Sequence, residues 1–135
     1  MILILSFPPF DFAQGKLRRE SIFISKINDM ANIFKIVVFV PEPQADIVRE
    51  AMSSAGAGKI GNYTSCSFST KGIGRFKPEE GAHPTIGEVG RLESVEEERI
   101  EAICGRENLQ NVITAIKKVH PYEEVALDVY ALEDV

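Results

Sequence analysis

The nine residues IFKIVVFVP, 33–41, most narrow what this chain can fold into. They are β-branched and aromatic almost throughout, too uniformly apolar to alternate, which suits a central strand covered on at least one face. A central strand needs neighbours, and the rest of the chain supplies them in a definite order. From Gln44 to Ala55, Ile47, Val48, Ala51, Met52 and Ala55 recur at helical spacing, and Gly56 is suited to end that helix. YTSCSFS (63–69) alternates as a strand would, with Cys66 on its more apolar side. KGIGRF then reads as a strand extension or a bulge. RLESVEEERIEAICG (91–105) reads as a third strand despite its glutamates. Glu107–Val119 carries the stripe Leu109, Val112, Ile113, Ile116 and Val119, a helix that Pro121 stops. EVALDVYAL (124–132) alternates as a final strand.

Strand, helix, strand, strand, helix, strand is the split βαβ plan. It predicts an α+β ferredoxin-like sandwich (β-α-β-β-α-β), a four-stranded antiparallel sheet with two helices on one face. The other face stays open unless subunits cover it, so we expect a homo-oligomer. Residues 1–29 fit this plan poorly. FPPFDFAQGKLRRES is turn-like and charged, and SIFISKI has no obvious partner strand, so we expect a disordered arm or an upstream extension of the coding region. The domain is expected over 30–135, with Met30 as its natural start.

The 135 residues suffice for one domain with a core. A formal net charge of −5 argues against a nucleic-acid partner. MILILSF is far short of the roughly 20 apolar residues a membrane span needs and makes a poor signal peptide. Cys66 and Cys104 suit two reduced thiols, so the chain reads as cytoplasmic, with no membrane partner.

Candidate chemistry gathers in two places. HPYEE (120–124) offers His120, Tyr122, Glu123 and Glu124, residue types that bind zinc or move protons. The spacing is against a metal: there is no HExxH, and only two histidines exist in the chain. The plainer reading is a helix end, with His120 near the last carbonyls and the Tyr122 ring over the core. The second place is the run from Lys71 through the long loop 77–90. Gly72, Gly74, Arg75 and His83 could line a cleft between subunits together with Tyr122. GIGRF with Lys71 could also cradle an anion. The string Gly56-x-Gly58-x-x-Gly61 follows a helix where a dinucleotide fingerprint follows a strand, so it reads as a turn.

Three stretches taken together, AGAGKIGNYTSCSFSTKGIGRFKPEEGAHPTIG, GRLESVEEERIE and HPYEEVALDVYAL, resemble the domain inserted in the Nif-three-like, YqfO-type dinuclear metal centre hexameric proteins. The resemblance covers about 33–135. It implies a CutA/PII-like fold that tends to trimerise, in a standalone form lacking the halves that hold the metals. It therefore implies neither a metal centre nor a cofactor. The expected function is a non-catalytic, oligomerising binding or regulatory module, its partner a small-molecule effector or a protein. The alternative is a divalent-metal-binding or metal-dependent hydrolase-related protein that uses His83, His120 and nearby carboxylates.

Overall fold

The computed structural model describes residues 31–135; the readings of residues 1–29, of SIFISKI and of Met30 lie outside the described residues. The elements are β1 (Ile33–Pro41), a 3-10 turn (Glu42–Gln44), α1 (Ala45–Ser54), β2 (Phe68–Phe76), β3 (Glu93–Gly105), α2 (Arg106–Val119) and β4 (Leu127–Leu132). The sheet order is β2-β3-β1-β4, and every pairing is antiparallel. This is the expected ferredoxin-like sandwich, its apolar first strand at the centre.

Alternation along the strands divides the sheet into two faces. Ile36, Val38 and Val40 of β1 and Ile100, Ala102 and Cys104 of β3 point to the helices, where Val48 and Met52 of α1 and Val112 and Ile116 of α2 close the core. Burying one such Val or Ile side chain contributes about 1.5–3 kcal/mol. Leu127 and Val125 pack at the edge of the same cluster. The register sets Val37, Phe39, Glu97, Arg99, Glu101, Phe68, Gly72, Gly74 and Tyr130 on the other face. Val37 is fully buried there, in the middle of the sheet, while Phe68 is 66% exposed.

Local chemistry explains the boundaries. Pro43 sits in the first turn that leads into α1. Gly56 closes α1 at φ +108°, donating its amide to the Ser53 carbonyl. His120 ends α2 in the extended conformation that a following proline imposes.

Three expectations are corrected. Residues 63–67 are not strand: β2 begins at Phe68, and KGIGRF is its body, running in unbroken register from Phe68 opposite Glu101 to Phe76 opposite Glu93. The reason lies upstream. The Cys66 amide turns back to the Gly58 carbonyl and Ser65 takes φ +60°, so the alternating polar run folds into a loop. The same regular ladder removes the anion cradle, because successive amides of an extended strand point to opposite sides rather than converging. The last strand is also shorter than expected, starting at Leu127; Glu124–Ala126 still belong to the turn.

A candidate ligand cleft on the open sheet face

Beyond Phe76 the chain leaves the sheet for sixteen residues before β3 begins, and this loop is anchored. The Gly90 amide reaches the Pro78 carbonyl at 2.7 Å, closing its base. Its middle is tied to HPYEE twice: the His83 amide donates to Glu123 Oε1 at 2.8 Å, and the Thr85 hydroxyl donates to the Pro121 carbonyl at 2.6 Å.

His120 fixes the turn from beneath. It is buried, and both ring nitrogens are engaged: Nδ1 accepts the Tyr122 amide at 3.1 Å, and Nε2 lies 2.8 Å from the Phe39 carbonyl. An amide can only donate, so Nδ1 carries no proton, and Nε2–H donates to Phe39. With both nitrogens engaged inside the protein, neither is left for a metal ion. The expectation that the ring approaches the last carbonyls of its own helix is corrected as well. Its backbone amide does so, at Ile116, while the ring crosses to β1.

Tyr122, expected over the core, instead lies over the open face. Its ring meets Phe76 edge-on, centroids 5.6 Å apart, and its hydroxyl donates to Glu97 Oε1 at 3.1 Å. Burial, and then the Glu97 carboxylate, push the phenol well above its ordinary range, so it remains a donor. Glu97 is only 8% exposed. It fits because Gly74 has no side chain: a Cβ there would stand 2.3 Å from the Glu97 carboxylate.

These contacts enclose a cleft of about 500 Å³ with Phe39, Phe76, Pro84, Ile86 and the Tyr122 ring among its walls and Glu97 in its lining. Of the residues singled out in the sequence, Gly74, Arg75, Tyr122, Glu123 and Glu124 line it. Arg75 pairs with Ser94, which sets it on the strand face opposite Gly74 and Phe76. His83 is not among the lining residues: it stands between Ala82 and Pro84, which are, and its amide holds Glu123. Gly72 lines an adjoining groove with Arg99 and Glu97, and His120 lies below as a support. Sequence reasoning missed Glu97, one of five glutamates between 93 and 101. The signal that could have found it is the strand register, which carries it to the glycine-bearing part of β2. Among the described residues no group of three or more His, Cys, Asp or Glu side chains is placed to hold a metal ion. No described helix is long and apolar enough to cross a membrane.

No protein-family model matches the chain. Curated relatives do. The chain is 54% identical over 101 residues to the GTP cyclohydrolase 1 type 2 homolog of Halalkalibacterium halodurans, covering 75% of this chain and 27% of that protein. It is 52% identical over 99 residues to the Bacillus subtilis homolog, covering 73% and 26%. Among solved structures, a Bacillus cereus protein related to NIF3 superposes with a TM-score of 0.67 at 49% identity, covering 77% of this chain and 26% of that one. CutA from Archaeoglobus fulgidus, a periplasmic divalent cation tolerance protein, shares the fold at a TM-score of 0.57 and 15% identity, covering 76% and 86%. The chain spans about a quarter of the length of the curated relatives it matches. It is thus a relative of the NIF3-related GTP cyclohydrolase 1 type 2 homologs over one segment of their length, and that segment is a CutA-like ferredoxin-fold domain.

Proposed function

We propose that this domain is a non-catalytic, self-associating binding or regulatory module, with the cleft between the 77–92 loop and the HPYEE turn as its ligand site. The observation that carries the reading is the anchoring of that long loop. A sixteen-residue connection tied at its base and twice along its length, over a walled cavity of about 500 Å³, is organised well beyond what joining two strands requires. The volume is in the ordinary range for small-molecule sites. The chemistry present holds and orients: the one histidine beside the cleft floor is engaged at both nitrogens, and the tyrosine is locked as a donor.

Self-association has its own support. The sheet face away from the helices exposes Phe68 and Tyr130, and a second copy, in a trimer as the inserted-domain resemblance implies, would cover them. Because the chain spans a quarter of its relatives, any activity of the longer proteins is separate from this reading. The test is a screen of small ring compounds against the full chain by amide chemical-shift mapping, with sedimentation equilibrium in parallel. Hits that move Phe76, Tyr122 and Ala126 amides, together with a mass above the monomer, support the module. A monomer whose cleft amides move with no compound refutes it.

A further inference from the structure

Two neighbouring glutamates of β3 are almost equally buried, Glu97 at 8% and Glu98 at 9% exposure, and they are treated very differently. Glu98 has a cation: Arg49 of α1 donates to it at 2.5 Å. Among the described residues Glu97 receives one hydroxyl, from Tyr122, a neutral donor that does not balance a carboxylate's charge. Two cations of the sheet are committed elsewhere, and Arg75 projects to the strand face opposite Gly74. Arg99 pairs with Glu101 at 3.2 Å and lies over the Phe39 ring, and Lys71 pairs with Glu42. A buried carboxylate is costly unless a cation and further donors complete it, and here the space beside it is the cleft.

The surroundings specify what would complete it. Phe39, Phe76 and Tyr122 line the same volume, and the Phe76 and Tyr122 rings meet with centroids 5.6 Å apart. The lining holds four carboxylates, Glu79, Glu97, Glu123 and Glu124, against two cations, Arg75 and Lys77. Aromatic walls take a flat ring and favour positive charge over their faces. A carboxylate accepts two parallel N–H donors in the forked geometry of a guanidinium or amidinium. We propose that the cleft binds a flat-ring ligand bearing a cationic amidine or guanidine group, with the ring between the aromatic walls and the cation against Glu97. This rests on the cleft being the ligand site, and deepens that reading by naming the ligand class.

The test uses three ring compounds of one size on the full chain: benzamidine, neutral benzamide and benzoate, each titrated by amide chemical shifts. The expected result is saturable movement of Glu97, Phe76 and Tyr122 amides with benzamidine, at least tenfold weaker binding of benzamide and no cleft response to benzoate. Glu97→Gln, folded by circular dichroism, should bind benzamidine at least tenfold more weakly. Benzamide or benzoate binding as well as benzamidine, or a Glu97→Gln variant of unchanged affinity, would overturn the cationic-ligand inference and leave the cleft as a ligand site. Benzamidine responses confined to residues outside the cleft, or no response to any of the three, would overturn both readings. The three-compound comparison on the native chain decides the matter even where Glu97→Gln fails to fold.

Discussion

The Tyr122 hydroxyl donates to Glu97 Oε1 across 3.1 Å, linking the HPYEE turn to the third strand of the sheet. Removing the hydroxyl takes from a nearly buried carboxylate its one donor among the described residues. Tyr122→Phe should therefore cost about 1–3 kcal/mol of stability, the penalty of an unsatisfied buried acceptor. Chemical denaturation of the two proteins measures it. In a double-mutant cycle with Glu97→Gln the two losses should be non-additive, because the residues share one interaction.

The same phenol gives a pH prediction. Its folded-state pKa is raised, first by burial and then by Glu97, so the fold favours the neutral form. Its contribution is whole below the unfolded tyrosine value of about 10 and is lost as pH rises above it. Stability of the native chain should fall more steeply above pH ~10 than that of Tyr122→Phe. Alkaline denaturation midpoints test this, and parallel curves for the two proteins would contradict it.

Gly74 and Gly72 lie two apart on one face of β2 but should respond oppositely to alanine. A methyl at Gly74 meets the Glu97 carboxylate at 2.3 Å, whereas one at Gly72 meets nothing within 4 Å. Gly74→Ala must displace Glu97 from Tyr122, at a cost of about 1–2 kcal/mol. Gly72→Ala should be neutral or stabilising by up to about 1 kcal/mol, since it restricts the unfolded chain. Thermal melts of both variants check the contrast.

His120→Ala removes a ring that bonds the Phe39 carbonyl and the Tyr122 amide together. With both partners left unpaired in a partly buried position, the loss should be about 1–3 kcal/mol. Hydrogen exchange should also show the HPYEE turn opening far more often. A variant of native stability that had instead lost a bound metal would return the histidine to the role of a ligand.

Much of this architecture can be read from residue patterns, and the reasons are local. Ile33–Pro41 has to be central because an apolar run needs covering, and the stripe of α2 has to face a sheet. Pro121 stops α2 through backbone sterics that no tertiary contact overrides. The 63–67 segment misleads because three of its five residues are Thr64, Ser65 and Ser67, which bond as readily in a loop as in a strand. The cleft is only partly legible. HPYEE stands out by composition, yet its meaning depends on Phe39, Phe76 and Glu97, brought to it by strand register across 81 residues in the case of His120 and Phe39. Glu97 could not be told from Glu96 or Glu98 without knowing which faces Gly72 and Gly74.

The most direct measurement is a crystal structure of the full assembled chain grown with saturating benzamidine. The expected result is an amidinium about 3 Å from both Glu97 oxygens, its ring against the aromatic lining of the cleft, and Tyr122 still donating. Glu97 paired with Arg99 or with a cation of a neighbouring subunit, and the cleft occupied by that subunit, would contradict it.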